Sequence, residues 1–175
     1  MKFFEEKIRG VFRIEPEPFK DDRGVFRRHF CVNEFTEAKI VTDVSQSNVS
    51  ENHFANTLRG FHYQIEPYSE GKTLSCLNGS IYDIVVDLRE SSPTYMQWIS
   101  IELNHENRFS IHIPPGCANA FLTLEDSCLI HYYCSESYNP EAERGIRFND
   151  PAFDFKWPAE PKIISEKDLN HPNFK

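Results

Sequence analysis

Leu58-Arg59-Gly60-Phe61-His62-Tyr63-Gln64 is the densest run of chemically able groups in the 175-residue chain. Read as a strand, it sets His62 on one face with Gly60 and Gln64 and turns Phe61 and Tyr63 to the other. A histidine flanked by a glycine and an amide suits a cavity, because glycine leaves room for a ligand. A neutral imidazole in such a place can take a proton near pH 7. A hydrogen-bonded structural histidine fits the same pattern. Other chemistries lack their residues: there is no G-x-S-x-G elbow, no phosphate-cradling glycine loop and no G-x-G-x-x-G. A small β-barrel that uses metal draws two ligands from an H-x-H pair. The nearest approach here is His62-Tyr63-Gln64, so no metal is expected.

The elements that must position this segment have a period of two. Tyr82, Ile84, Val86 and Leu88 alternate with Ile81, Asp83, Val85 and Asp87, behind an Asn78-Gly79 turn that signals a hairpin. Ile99, Ile101 and Leu103 alternate with polar neighbours, as do Phe109, Ile111 and Ile113 up to Pro114-Pro115-Gly116. Phe121 to Leu124 and Cys128 to Cys134 read as two more strands joined at Glu125-Asp126. Many short strands at regular spacing, with 14% aromatic residues, predict an all-β jelly roll. Helix is confined to short peripheral pieces, one over Val32–Lys39 and one after Ser165, whose hydroxyl can cap Glu166–Leu169. No repeat or Gly/Ser-rich linker divides the chain, so residues 1–175 are expected to form a single domain.

A net charge of −8 argues against a nucleic-acid partner. The opening MKFFEEKIRG carries charges through its first apolar residues, unlike a signal peptide. No run approaches the ~18 apolar residues of a membrane span, so the expected location is cytoplasmic. Five cysteines, odd in number and without a C-x-x-C pair, predict reduced thiols.

Arg59-Gly60-Phe61-His62-Tyr63-Gln64, Gly71-Lys72, Asp83 to Arg89, Ser92-Pro93-Thr94 and Ile113-Pro114-Pro115-Gly116 resemble the signature of the dTDP-4-dehydrorhamnose 3,5-epimerase family. Asn149-Asp150-Pro151, Trp157-Pro158 and Ser165-Glu166-Lys167-Asp168 continue the resemblance in order, from Gly10 to about residue 170. It implies a dimeric, metal-free, cofactor-free jelly roll of the cupin type, a double-stranded β-helix. The implied substrate is a nucleotide-diphosphate 4-keto-6-deoxy sugar, inverted beside its ketone. His62 is then the base, Asp168 its carboxylate partner, Tyr132 the acid on the opposite face and Lys72 the charge near the enolate oxygen. Arg59 and Arg23 would hold the diphosphate. Phe19 and Tyr138 would sandwich the base, and Gln46 and Asn48 would contact the nucleotide. The N-terminal strands would reach into a partner subunit of a homodimer.

Two pocket positions depart from the family pattern. Asn119 stands where a second pocket histidine is expected, and Arg28 where an acidic residue is common. They leave open inversion at C3 or C5 alone, or a CDP-, GDP- or UDP-linked sugar. Two rival readings are a non-catalytic sugar-nucleotide binding cupin and a metal-dependent cupin enzyme.

Overall fold

The computed structural model describes residues 1–174. In chain order the elements are β1 (Lys2–Glu5), β2 (Phe12–Glu15), β3 (Phe19–Asp21), β4 (Gly24–Phe26), α1 (Val32–Glu37), β5 (Gln46–Asn52), β6 (Leu58–Gln64), β7 (Lys72–Asn78) and β8 (Ser80–Asp87). There follow β9 (Trp98–Asn104), β10 (Ser110–Ile113), β11 (Cys117–Thr123), β12 (Cys128–Cys134), β13 (Glu143–Gly145) and α2 (Glu166–Leu169). Two antiparallel sheets face each other as a cupin-type jelly roll, one ordered β1-β2-β10-β7-β12-β5 and the other β13-β6-β11-β8-β9. The strand-rich, helix-poor reading holds, and both short helices lie where the cap and spacing arguments put them.

Asn78-Gly79 does not close a hairpin. β7 pairs with β10 and β12, whereas β8 pairs with β11 and β9, so the turn carries the chain from one sheet to the other. Gly79, at φ +80°, sits against the Cys128 side chain, where any Cβ would collide. β11 also starts earlier than its apolar run suggests. Cys117-Ala118-Asn119-Ala120 is all buried, and small residues carry little hydrophobic signal.

Between the sheets, Leu74, Cys76, Ile81, Val85, Ile111, Phe121 and Ile130 form the main core. The β8 sheet is covered on its outer face as well. There Phe61, Ile84, Val86, Ala118 and Ala120 pack under Ile146, Phe153, Phe155 and Trp157 of the C-terminal segment. Phe61 stacks on Phe155 at 4.3 Å between ring centroids. Burial on both faces explains why β8 is almost continuously apolar. Helix α1 seals the outer face of the other sheet through Phe35, which packs with Ile14 and Tyr133.

A candidate active site at one end of the jelly roll

The apolar core fills only part of the space between the sheets. Along β12, Cys128 and Ile130 belong to the core, and Tyr132, two residues on, faces a polar cleft. On β7 the same progression runs from Cys76 and Leu74 to Lys72. Pairing aligns these positions: Asn48, Tyr132 and Leu74 form one cross-strand row, and Gln46, Cys134 and Lys72 the next. From the facing sheet, β6 and β11 present His62 and Asn119, which pair with each other. The resulting cleft of about 480 Å³ is lined by Gln46, Asn48, His62, Gln64, Lys72 and Tyr132, with Tyr63, Glu70, Cys134, Tyr138 and Glu143 at its walls. A smaller hollow continues inward past Arg59, Asn119 and Phe121.

Gly60 does not leave ligand space beside His62. Its backbone, at φ +109°, presses on β11, and a Cβ there would lie 2.5 Å from the Asn119 carbonyl oxygen and 2.8 Å from Ala120 Cα. At this point the register slips by one residue: Ala120 pairs with Gly60, Asn119 with His62, and Phe61 is the extra residue of a bulge. Regular alternation would put Arg59 on the face of Phe61. The bulge brings Arg59 to the cleft side with His62, where its Nε donates to Asn52 Oδ1 at 2.7 Å. Glycine is needed because the backbone conformation and the close approach both exclude a side chain.

His62 Nε2 lies 2.7 Å from Asp168 Oδ1. Asp168 comes from α2, which is tied to β6 by the Leu58 N–H donating to Ile163 O at 2.8 Å. Ser165 caps this helix, accepting from the Asp168 backbone N–H, so the Asp168 carboxylate is left to face the histidine. Asp168 Oδ2 accepts from the Gly60 N–H at 3.3 Å. Burial pushes this carboxyl up, but the His62 bond and the Gly60 amide outweigh it and hold it below the usual range. The bond to Nε2 gives neutral His62 its proton on that atom and its lone pair on Nδ1.

Tyr132 is half-buried, and burial raises its phenol above the ordinary value, so it is held in the protonated form. Lys72 Nζ stands 6.0 Å from the Tyr132 ring centroid and 3.4 Å from Glu70 Oε1. Burial pulls this ammonium down, yet the Glu70 carboxylate beside it opposes that effect, and the ammonium stands above its ordinary value and stays cationic. Asn119 bridges two charges: its Oδ1 accepts from Lys72 Nζ at 3.4 Å and its Nδ2 donates to Asp83 Oδ1 at 2.9 Å. Asp83 is wholly buried, its Oδ2 has no partner among the described residues, and burial raises its carboxyl to about 7 against the opposing effects of Asn119 and Lys72.

Gln46 and Tyr138 meet at the mouth, where the Tyr138 N–H donates to Gln46 Oε1 at 2.7 Å and Tyr138 OH to Glu143 Oε2 at 2.7 Å. Asn48 points a buried, unpartnered Nδ2 toward the same cleft. Three expected ligands are elsewhere. Phe19 and Arg23 belong to the separate β3–β4 hairpin, where Phe19 is 73% exposed and Arg23 bonds its neighbour Asp21. Neither side chain lines the cleft or its inner hollow. Arg28 lies on the surface and donates to Glu34 of α1, away from the cleft. Glu70, Glu143 and His171 are cleft or pair neighbours that the sequence reading missed. His171 Nε2 lies 3.8 Å from Asp168 Oδ1, and its only sequence signal is the three-residue spacing from Asp168.

The site thus offers a carboxylate-paired imidazole from one sheet and a protonated phenol and a cation from the other, around one cleft. That set can move a proton off a carbon acid on one face, hold the resulting oxyanion, and return a proton from the other side. Comparison with known proteins agrees. The family model of dTDP-4-dehydrorhamnose 3,5-epimerase matches residues 5–175. A dTDP-4-dehydrorhamnose 3,5-epimerase of Methanothermobacter thermautotrophicus is 40% identical over 97% of this chain and 92% of its own. The crystal structure of such an epimerase from Bacillus anthracis with TDP and PPi bound superposes with a TM-score of 0.96 at 32% identity, covering 99% of both chains. That of dTDP-6-deoxy-D-glucose-3,5-epimerase from Legionella pneumophila in complex with dTDP-4-keto-L-rhamnose gives 0.91 at 34% identity, over 97% of this chain and 90% of the other. The chain belongs to the dTDP-4-dehydrorhamnose 3,5-epimerase family of isomerases.

Proposed function

We propose that the protein epimerises a dTDP-linked 4-keto-6-deoxyhexose at the carbons beside its ketone, in deoxysugar biosynthesis. The observation that carries this reading is the 2.7 Å His62–Asp168 pair on one sheet, facing Tyr132 and Lys72 on the other. His62 Nδ1 takes the proton from the carbon next to the ketone, and the electron pair moves onto the carbonyl oxygen as an enolate. Lys72 neutralises that oxygen, an interaction worth about 2.7–4 kcal/mol for a well-placed donor. Asp168 stabilises the imidazolium and fixes the ring tautomer, as the carboxylate does in a hydrolase triad. Tyr132 then protonates the carbon from the opposite face and is reprotonated by solvent, while His62 releases its proton to solvent. Proton transfer of this kind needs no redox group, and we assign the reaction no metal.

Arg59, Gln46, Asn48 and Tyr138 surround the approach to His62 and suit a nucleotide diphosphate, with Arg59 pairing to phosphate. We assign Phe19 and Arg23 to the cleft of a second copy in a homodimer, because both are exposed on a separate hairpin and neither lines the cleft of its own chain. No helix among the described residues is long and apolar enough to cross a membrane. Five unpaired thiols suit a reducing cytoplasm.

Turnover of a dTDP-linked 4-keto-6-deoxyhexose in deuterated water, followed by proton NMR, tests the reading. Deuterium should enter at C3 and C5, at unequal rates because Asn119 cannot gain a proton as a second histidine could. His62→Asn should abolish entry at both carbons while leaving dTDP binding nearly intact. Label uptake at the parental rate by this variant contradicts the assignment.

A further inference from the structure

His171 is not used in the mechanism above, yet the fold makes room for it. Its ring packs on Gly145, where any Cβ would collide with Nε2, and Gly145 is the cross-strand partner of His62 on β6. Nε2 is buried and, among the described residues, has no hydrogen-bond partner. We propose that His171, His62 and Asp168 form a transition-metal site of the zinc class that switches the base off. The switching rests on the reading of His62 as the catalytic base.

One ligand atom from each of His62, Asp168 and His171 lies within 4.8 Å of the other two. Asp168 Oδ1 stands 2.7 Å from His62 Nε2 and 3.8 Å from His171 Nε2. Zinc bound tetrahedrally at ~2.0–2.2 Å separates its ligands by roughly 3.3 Å, so the two nitrogen–oxygen pairs each need a shift of only about half an ångström, and the two nitrogens, within 4.8 Å, close by about 1.5 Å at most. Two imidazoles and one carboxylate suit zinc, cobalt or nickel and leave a coordination position for water. Magnesium and calcium prefer all-oxygen shells. Without His171, the His62–Asp168 pair offers only two ligands. His62 is one-third exposed to the cleft, which gives the ion a way in.

The effect on chemistry follows from the tautomer. A metal on Nε2 takes the place of the proton there. The neutral ring keeps that proton by carrying it on Nδ1, through exchange with solvent, and no net proton is lost from His62. The lone pair that would accept the substrate's proton is then filled. Metal occupancy and base function exclude each other.

Tag-free protein freed of metal with chelator would be titrated with cobalt chloride, reading visible absorption, and with zinc chloride, reading turnover. The inference expects a tetrahedral-type cobalt spectrum and loss of turnover with zinc, restored by chelator, while magnesium chloride has no effect. His171→Ala should weaken cobalt binding by at least the roughly 10–100-fold typical of losing a group that only hydrogen-bonds to a metal ligand, and should remove the inhibition, judged against its own zinc-free rate. His171→Asn serves the same purpose if the alanine variant fails to fold. Absence of the cobalt spectrum, equal inhibition in these variants, or acceleration by zinc overturns the proposal. Cobalt binding needs no substrate, so it separates failure of the site from failure of the epimerase reading.

Discussion

At the scale of single residues, the site is a set of charges balanced by burial. Asp83 is the clearest case, because it lies inside the protein with one oxygen unpartnered and its carboxyl raised to about 7. Between the ordinary value of 3.8 and about 7, folded Asp83 keeps a proton that the unfolded chain has lost. Its contribution to stability therefore falls as pH rises through that window and levels off above it, by a few kcal/mol at most. Asp83→Asn removes this titration. Relative to the parent, the variant should gain stability between pH 4.5 and 7 and hold a constant offset above pH 7.5, measured by urea midpoints. A constant offset across the whole range means that Asp83 is ionised throughout.

The residue scale also shows what the sequence could reveal. His62, Lys72, Tyr132 and Asp168 were named through a family resemblance, and all four line one connected site. Asp168 is 106 residues from His62, so no local pattern could have joined them. Asn119 donates to Asp83 at 2.9 Å, a contact between the neighbouring strands β11 and β8. His171 was invisible because its importance lies in an empty Cβ at Gly145, a tertiary fact.

At the scale of elements, period-two reasoning worked within strands and failed where strands bend or change sheets. It placed Gly60 beside a ligand space, whereas the bulge makes Gly60 the point of closest approach between β6 and β11. Gly60→Ala should destabilise the fold by at least ~1–3 kcal/mol from backbone strain alone, before the clash with Asn119 and Ala120 is counted. Thermal unfolding and turnover should fall together, because Arg59 and His62 lie on either side of the bulge. A variant with parental melting and activity would show that the bulge is not needed. Likewise, Asn78-Gly79 has the chemistry of a tight turn, but turn chemistry does not say which sheet the next strand joins. The outer layer of Phe153, Phe155 and Trp157 decides that β8 is buried on both faces, and this layer lies some 70 residues downstream.

At the scale of the whole molecule, the exposed β3–β4 hairpin is the feature that a single chain leaves unexplained. Phe19, Val25 and Phe26 are all exposed on it, beside Arg23. If this hairpin serves the cleft of a second copy, Arg23→Ala and His62→Asn damage different halves of one site. Each variant alone should be nearly inactive. After subunit exchange at equal concentration, half the dimers are mixed and each mixed dimer keeps one intact site, so about a quarter of parental activity should return. No recovery, with exchange verified by size and mass, would place Arg23 in its own chain's site or outside any site.

The central claim is that His62 and Tyr132 act from opposite faces of the sugar. Its most direct test is the configuration of the labelled carbon when Tyr132→Phe turns over a dTDP-linked 4-keto-6-deoxyhexose in deuterated water, read by proton NMR. The parent should give deuterium at inverted carbons. The variant keeps the ring but loses the phenolic proton, so it should still exchange through His62 and return the label mostly with retained configuration. Exchange and inversion falling in parallel, or full inversion by the variant, would contradict the account.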